Sequence, residues 1–205
     1  MLSVVNLECW RGDRRLFSDV SFDVGPSSLL HVHGPNGSGK TTMLRALSGL
    51  VLPESGDILW HGQASRKVPE DFYSQTIYLG HLSGLKFELT GYENLRVFSK
   101  LSGFEVSEAD VEAAMKKMGL ARCIDLPVKV LSQGQQRRVA LARLLIQPAK
   151  LWILDEPFNA LDVAAVELLQ GMIKDHVANG GMVILTTHQE VNIPTDSIQH
   201  IQLGS

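Results

Sequence analysis

The eight-residue segment from Gly34 to Thr41, Gly-Pro-Asn-Gly-Ser-Gly-Lys-Thr, constrains this chain more than any other. It follows the apolar run 29–33, which we predict to be a strand, and precedes the run 40–50, which we predict to be a helix. A glycine-rich turn in this position lets successive backbone N–H groups surround an anion, and the helix presents its positive end to the same anion. The segment therefore predicts a phosphate-binding loop in an α/β fold.

Several side chains in this loop have an expected role at a nucleotide. We expect Lys40 to reach the β- and γ-phosphates, the Thr41 hydroxyl to hold Mg²⁺, and Thr42 to add a contact to the α-phosphate. The remaining loop residues that we expect around the phosphates are Gly34, Pro35, Asn36, Gly37, Ser38 and Gly39. The loop therefore predicts a nucleoside triphosphate bound with Mg²⁺.

Two acidic residues, Asp155 and Glu156, follow the apolar run 151–154. We predict this run to be a buried parallel strand, and residues at the carboxyl end of such a strand face the ligand crevice. Asp155 is expected to hold Mg²⁺ through its water shell, and Glu156 to take a proton from, or polarise, the attacking water. Taken alone, the pair could also be a solvated acidic turn before Pro157.

A chain of 205 residues predicts one or at most two domains, and the order of sequence patterns indicates an α/β core. Residues 1–25 alternate apolar and polar positions, as antiparallel strands do. Residues 63–76 are polar and predicted to be loop-rich, and the pattern from 93 to 146 is helical. The short apolar run 182–186 predicts a second buried parallel strand, and the segment 163–177 before it predicts an amphipathic helix.

Composition restricts the remaining function classes. The net charge of −3 is too small to argue for or against nucleic acid, and no dense basic run occurs. Cys9 and Cys123 form no CxxC pair, so we expect a reducing compartment and neither a disulfide framework nor a zinc site. The start lacks signal-peptide features, and no apolar run approaches the roughly 20 residues that cross a bilayer. Any work at a membrane would require a partner.

A second anion site is expected where residues 131–138, Leu-Ser-Gln-Gly-Gln-Gln-Arg-Arg, begin a helix. Ser132 can cap this helix, whose positive end can bind an anion. One nucleotide at the phosphate loop does not need two such sites. The simplest interpretation is that this site serves the nucleotide of a second copy of the chain.

Together these motifs resemble those of ABC ATPase nucleotide-binding subunits over nearly the whole chain. Residues 131–135 are similar to the LSGGQ signature, with Gln133 in place of its first glycine. Residues 159–162, Asn-Ala-Leu-Asp, resemble the D-loop, and residues 186–188, Thr-Thr-His, resemble the switch-histidine segment. The resemblance implies a P-loop NTPase of the α/β class: an ABC nucleotide-binding domain with an N-terminal antiparallel β subdomain and an inserted helical subdomain.

The same resemblance implies how the chain is divided and assembled. The single ABC domain, 1–205, would comprise a core, 1–81 with 147–205, and a helical signature subdomain, 82–146. Two chains would form a head-to-tail homodimer around two ATP molecules with Mg²⁺. Each site would combine residues of both chains. One chain would supply the catalytic residues Lys40, Glu156 and His188, and the other would supply the signature residues Ser132, Gly134 and Gln135.

Two positions depart from the usual ABC pattern. Counting 12 residues back from Glu93 to the Q-loop position reaches His81, where a glutamine that contacts metal and water is usual. His81 is therefore a candidate metal ligand. Because an imidazole is a poorer Mg²⁺ ligand than an amide oxygen, His81 could instead sense phosphate or report transporter contacts. The residue that stacks on adenine could be Trp10 or Arg11, and we favour Trp10.

A narrower resemblance concerns residues 80–86, 131–144, 151–162 and 185–189, which are similar to the cytochrome c biogenesis ATP-binding subunits (CcmA type). It implies an ATPase that is peripheral at the cytoplasmic face of the inner membrane and bound to integral membrane subunits. In that family the subunit powers haem export or the release of a haem-loaded chaperone.

Other functions fit parts of the pattern. The chain could serve another ABC system, an importer or a lipoprotein-release complex. A soluble ABC ATPase acting on DNA or ribosomes usually carries a long coiled coil or tandem cassettes, which this sequence lacks, so no nucleic-acid partner is predicted. A GTP switch ranks last because no NKxD-like motif occurs. No CxxCH motif occurs either, and we expect His31 and His33 to flank the strand before the phosphate loop rather than to ligate iron.

Overall fold

The computed structural model describes residues 1–189, 193, 195 and 197–204. The strands are β1 Leu2–Arg11, β2 Arg14–Val24, β3 Ser28–His33, β4 Ser55–Trp60, β5 Gln63–Ala64, β6 Thr76–Leu79, β7 Leu151–Asp155, β8 Met182–Thr186 and β9 Ile198–Gln202. The helices are α1 Lys40–Leu47, α2 Pro69–Ser74, α3 Gly91–Leu101, α4 Glu108–Lys117, α5 Gln133–Ile146 and α6 Val163–Ala178. Short 3₁₀ turns lie at Ser65–Lys67, Ala121–Cys123 and Val128–Val130.

The N-terminal strands form an antiparallel sheet in the order β2-β1-β4-β5. In β1, Leu2 lies opposite Val24 of β2 on one side and opposite Trp60 of β4 on the other. Leu2 and Val4 are buried while Val5 is exposed, which is the alternation of a sheet with one covered face. The predicted antiparallel β subdomain is confirmed.

A second sheet of five parallel strands has the order β6-β7-β8-β3-β9. Every residue of β7 and β8 is buried, as expected for inner strands that are covered on both faces. Because the strands are parallel, the segments that follow β3, β7 and β8 leave from the same edge of the sheet. These segments are the phosphate loop, the acidic turn after Asp155 and the turn that carries His188.

Two apolar cores join the layers. One packs a face of the parallel sheet against α1 and the antiparallel sheet, and includes Leu30 and Met43. The other packs the opposite face against α6 and the helices α3–α5, and includes Leu29, Leu141 and Ile173. Adjacent residues of β3 thus enter opposite cores, so the strand that leads into the phosphate loop is fixed from both faces.

Helices α3, α4 and α5 pack against one another, and their starts follow from capping residues. Thr90 and Glu93 form a capping box at α3, and Ser107 caps α4. The predicted helical pattern over 93–146 is therefore confirmed. None of the helices that the structure describes combines the length and the apolar character needed to span a bilayer.

Two segments differ from the sequence-based expectation. Residues 63–76, expected to be loop-rich, contain β5, a 3₁₀ turn and α2. Helix α2 begins at Pro69, where a proline loses no helical hydrogen bond, and its Phe72 is buried edge-on against Trp60. Strand β9 is absent from the prediction because its residues are mostly exposed and form no apolar run.

Candidate functional site

A cleft of about 320 Å³ opens where the phosphate loop meets the segments after β7 and β8. The phosphate-loop side of its lining consists of Asn36, Gly37, Gly39, Lys40, Thr41 and Thr42. The other lining residues are Glu156, Asn159, His188 and His81, with Arg11 and Leu16 from the antiparallel sheet. Most of the predicted phosphate, metal and catalytic residues therefore share one cavity, whereas Asp155 and the loop residues Gly34, Pro35 and Ser38 are not part of its described lining.

The phosphate loop takes a backbone path that its glycines permit. Gly34 and Gly39 have φ angles of +148° and +101°. A Cβ on Gly34 would lie 2.5 Å from Ser38 Oγ, and one on Gly39 would lie 2.9 Å from the Phe17 ring. Other residues would therefore strain the loop and meet these neighbours.

The lysine of the loop is folded onto the loop itself. Lys40 Nζ donates hydrogen bonds to the carbonyl oxygens of Gly34 at 2.7 Å and Pro35 at 3.1 Å, and the residue is buried. Ser38 Oγ is buried without a hydrogen-bond partner among the described residues. The loop thus presents a cation, an unpaired hydroxyl and the N-terminus of α1 to one small volume, which suits a phosphate.

Asp155 ends β7 and is 1% exposed. Its Oδ1 atom accepts a hydrogen bond of 2.8 Å from the Thr186 hydroxyl, the register neighbour on β8. Its Oδ2 atom is buried and has no hydrogen-bond partner in the described part of the chain. A buried carboxylate oxygen without a partner is costly, and a hard cation such as Mg²⁺, with its water shell, would satisfy it.

Glu156 is held in an uncommon conformation beside His188. Its φ angle is +49°, a left-handed backbone conformation that costs about 1 kcal/mol or more for a residue with a Cβ. Its N–H donates to Thr186 Oγ1 at 3.0 Å, and its Oε1 lies 3.3 Å from His188 Nε2. The other carboxylate oxygen is buried without a partner among the residues described. This arrangement leaves one carboxylate oxygen of Glu156 free to accept a hydrogen bond or a proton.

Arg137 connects the signature helix α5 to this edge of the sheet. Its guanidinium donates to the backbone carbonyl oxygens of Gly80 at 2.8 Å, Asp155 at 3.1 Å, Glu156 at 3.0 Å and Pro157 at 3.3 Å. The side chain is buried. Burial lowers the pKa of the guanidinium, and the carboxylates of Asp155 and Glu156 act in the opposite direction and raise it. A planar cation with several donors can satisfy this set of acceptors. The helix therefore contacts the acidic pair through backbone groups.

The signature residues lie at the start of α5. Ser132 and Gln135 form a reciprocal capping box, in which each side chain accepts the other's backbone N–H, so the predicted cap at Ser132 is confirmed. Gly134 approaches the D-loop so closely that a Cβ there would lie 2.8 Å from the Ala160 carbonyl oxygen. Within the described residues, none of Ser132, Gly134 and Gln135 lines the cleft.

The structure also places the residues that depart from the usual pattern. Arg11 is among the described residues that line the cleft, and Trp10 is not. The two are neighbours on β1, and the Trp10 indole instead donates to Glu8 Oε1 at 2.7 Å. His81 lines the cleft and is exposed.

Four residues at the site have no individual role in the sequence-based prediction. Leu16 and Asn159 line the cleft, Thr186 bonds both members of the acidic pair, and Arg137 contacts the carbonyls behind them. Asn159 lies in the D-loop-like segment and could have been proposed from it. Arg137 belongs to the signature-like segment 131–138, but its contacts with Gly80 and Asp155 depend on a chain fold that brings these two positions together.

Known proteins resemble this chain in both sequence and structure. The ABC transporter family profile matches residues 17–159. The chain is 54% identical over 204 residues to the cytochrome c biogenesis ATP-binding export protein CcmA of Nitrosomonas europaea, covering 100% of this chain and 96% of that protein. It is 50% identical over 202 residues to the protein of the same name from Nitrosospira multiformis, covering 98% of each.

Two solved structures share the fold. An ATP-binding subunit of an ABC transporter has a TM-score of 0.86 and 27% identity, covering 100% of this chain and 88% of that one. A dimeric ATP-binding cassette in a post-hydrolysis state, bound to ADP and Pi, has a TM-score of 0.86 and 22% identity, covering 100% and 97%. The predicted ABC nucleotide-binding fold is confirmed. With the family match and the full-length relatives, this establishes that the chain belongs to the ABC transporter ATP-binding family, as an ABC-type ATPase of the CcmA group.

Proposed function

We propose that this chain is the ATP-hydrolysing subunit of a membrane ABC complex for cytochrome c biogenesis. In that complex ATP hydrolysis drives haem export or the release of a haem-loaded chaperone. The proposal is supported by identities of 54% and 50% to two export proteins named for this process, over nearly the full length of the chain. The observation that carries the enzymatic part is the single cleft that contains Lys40, Thr41, Glu156 and His188.

In the proposed mechanism, Glu156 is the general base. It lies in the cleft with one carboxylate oxygen near His188 and the other without a partner among the described residues, so it can accept a proton from a water at the γ-phosphate. His188, whose Nε2 lies 3.3 Å from Glu156 Oε1, would contact the γ-phosphate. Lys40 leaves the carbonyls of Gly34 and Pro35 and donates to the β- and γ-phosphates.

We propose that Thr41 and Asp155 hold Mg²⁺, with the unpaired Asp155 Oδ2 as the carboxylate atom involved. The ion would neutralise charge on the phosphate oxygens. His81 lies in the same cleft and is a candidate neighbour of the metal-bound water. For adenine we now favour Arg11 over Trp10, because Arg11 and Leu16 line the cleft and a guanidinium can stack on a base.

Each site would be completed by a second chain in a head-to-tail homodimer. Ser132, Gly134 and Gln135 lie outside the cleft lining of their own chain among the described residues, while Ser132 begins a helix whose N-terminus suits an anion. A solved cassette with the same fold is a dimer bound to ADP and Pi. We therefore propose that these three residues contact the partner's γ-phosphate.

The proposed complex places this ATPase at the cytoplasmic face of the inner membrane, peripheral and bound to integral membrane subunits. The relatives are named export proteins, and export requires partners that span the bilayer.

We propose that residues 82–146 act as the helical signature unit and that 1–81 with 147–205 act as the core. Arg137 links the two parts because it lies on α5 and contacts Gly80 and Asp155.

The enzymatic proposal is tested by Glu156→Gln, which keeps the size of the side chain and removes its basicity. We expect ATP hydrolysis to fall by about 10²–10⁴-fold, the usual contribution of a general base, while ATP binding measured by equilibrium dialysis persists. The matched control is Glu167→Gln, an exposed acid on α6, which should keep wild-type turnover. Turnover near the wild-type rate in Glu156→Gln would refute the assignment.

The cellular role needs a separate test. In a strain that lacks the gene, the wild-type chain should restore covalent haem attachment to c-type cytochromes, and Glu156→Gln should not. The chain should also co-purify with integral membrane subunits from detergent-solubilised membranes. Normal cytochrome c maturation in the deleted strain would instead favour an ATPase of another ABC system.

A further inference from the structure

Three histidines converge on one face of the parallel sheet, outside the lining of the nucleotide cleft. His31 and His33 lie two residues apart on β3 and therefore project to the same face. His200 of β9 lies directly beside His31 in the parallel register. One ligand nitrogen from each ring lies within 4.8 Å of the other two.

The three rings already form a connected group. The ring centroids of His31 and His33 are 3.7 Å apart, and those of His33 and His200 are 5.0 Å apart. His33 Nε2 and His200 Nδ1 share a hydrogen bond of 2.8 Å. A tetrahedral ion with metal–nitrogen distances of about 2.0–2.1 Å separates its ligand nitrogens by roughly 3.3 Å. The observed spacing therefore needs only small side-chain adjustments to accept an ion.

His31 provides an available ligand atom. Its Nε2 is buried without a hydrogen-bond partner among the described residues. A buried nitrogen without a hydrogen-bond partner is unfavourable. Hydrogen bonding within the described chain does not satisfy His31 Nε2, whereas a bound metal ion would.

The charge state also suits a cation. Burial, followed by the neighbouring His33, lowers the pKa of His31 to about 4. Burial, followed by His200 and then Lys40, lowers the pKa of His33. Both shifts favour the neutral imidazole, the form that binds metal. Coordination by both His33 and His200 requires only that their shared proton move to the other nitrogen of its ring.

We propose that His31, His33 and His200 form a binding site for one divalent first-row transition-metal ion, with Zn²⁺ as the reference ion. Three imidazoles suit Zn²⁺, Cu²⁺ or Ni²⁺ and do not suit Mg²⁺. His200 is exposed, so solvent can deliver the ion and supply a fourth ligand. This site is distinct from the magnesium site proposed at Thr41 and Asp155 and does not depend on the proposed cellular function.

A bound ion would join two distant parts of the chain next to the phosphate loop. His33 directly precedes Gly34, and its carbonyl accepts the Leu203 N–H at 2.9 Å. His33 and His200 are separated by 167 positions in the sequence. The ion would therefore hold the edge strand β9 against β3, and it should raise the melting temperature of the folded chain.

The test uses the full chain without a histidine tag, free of nucleotide and stripped of metal with a chelator. Zn²⁺ is titrated in excess Mg²⁺ by isothermal calorimetry into the wild type and into His33→Ala, His200→Ala, His61→Ala and His188→Ala. We expect one ion per wild-type chain, affinity at least tenfold weaker in His33→Ala and His200→Ala, and wild-type affinity in the exposed control His61→Ala. Circular dichroism of each metal-free variant checks folding.

X-ray absorption at the zinc edge of the loaded wild type provides a readout that needs no variant and should show three imidazole ligands. Zn²⁺ should also raise the melting temperature of the wild type and not that of His200→Ala. The proposal is overturned if the wild type binds no ion, if all variants bind Zn²⁺ equally, or if binding is lost in His188→Ala and kept in His200→Ala. Fewer than two imidazoles at the zinc edge would also overturn it.

Discussion

At the scale of single residues, the site depends on one hydroxyl that is absent from the sequence-based prediction. Thr186 donates to Asp155 Oδ1 and accepts from the Glu156 N–H. It thereby fixes the carboxylate that we propose to bind Mg²⁺ and the left-handed backbone of the proposed base. The phosphate loop and the acidic pair were identifiable in the sequence because their spacing is local. The contact of Thr186 was not, because it crosses between β7 and β8.

We predict that Thr186→Val, which removes the hydroxyl and keeps the shape, lowers ATPase activity by about 10–100-fold, the usual effect of losing a hydrogen bond that orients a metal ligand. The measurement is steady-state turnover at saturating ATP over a Mg²⁺ titration, with the melting temperature recorded for the same sample. The required Mg²⁺ concentration should rise. Unchanged turnover and Mg²⁺ dependence would show that Asp155 and Glu156 are positioned without Thr186.

His31 predicts a pH dependence of stability in the metal-free chain. Its folded-state pKa of about 4 lies below the ordinary value of 6.5, so between these values the unfolded chain binds a proton that the folded chain does not. The stability that His31 contributes is therefore complete above pH 6.5 and is lost as the pH falls towards 4. His31→Gln cannot titrate, so it should lose less stability between pH 7 and pH 5. Urea unfolding at both values measures this, and equal losses in the two proteins would contradict it.

At the scale of elements, the close approach of α5 to the D-loop is a further contact, besides that of Arg137, between the signature helix and the edge of the sheet that carries the acidic pair. The sequence predicts α5 and its Ser132 cap correctly, because capping and helical periodicity are local signals. It does not reveal that Gly134 touches Ala160, because that contact depends on how the helix packs on the segment after β7. Strand β9 is absent from the prediction for a related reason: its exposed edge position leaves no apolar run.

We predict different effects for two glycine-to-alanine changes in helices: one should raise the stability of the chain and the other should lower its ATPase activity. A Cβ at Gly134 would lie 2.8 Å from the Ala160 carbonyl oxygen, whereas one at Gly171 of α6 would meet no atom within 4 Å among the described residues. Gly171→Ala should stabilise the chain by about 0.5–1 kcal/mol through helix propensity and leave turnover unchanged. Gly134→Ala should displace the D-loop and lower ATPase activity by about 10–100-fold. Urea unfolding and turnover measure both, and normal activity in Gly134→Ala would show that the contact is not required.

At the scale of the whole molecule, the described chain brings together only some of the residues of the ATP site that its motifs indicate. The cleft holds the phosphate loop, Glu156 and His188, while Ser132 lies outside its lining in the described residues. The fold class could be predicted from the sequence because strands, loop and helices follow in an order that few folds share. The assembly could only be inferred, because a surface that completes another chain's site has no partner within one chain.

We propose that each catalytic site is shared between two chains, and mixing two inactive variants distinguishes a shared site from a site within one chain. Lys40→Ala disables the phosphate loop, and Ser132→Arg blocks the signature. In random two-fold dimers half of the pairs would be mixed, and each mixed pair would contain one complete site, so an equal mixture should recover roughly a quarter of wild-type ATPase activity. As a control, a chain with both changes, mixed with wild type, forms pairs without a complete site and should halve the activity per wild-type chain. If the mixture of single variants is as inactive as its components, each site lies within one chain and the proposal of a site shared between two chains is wrong.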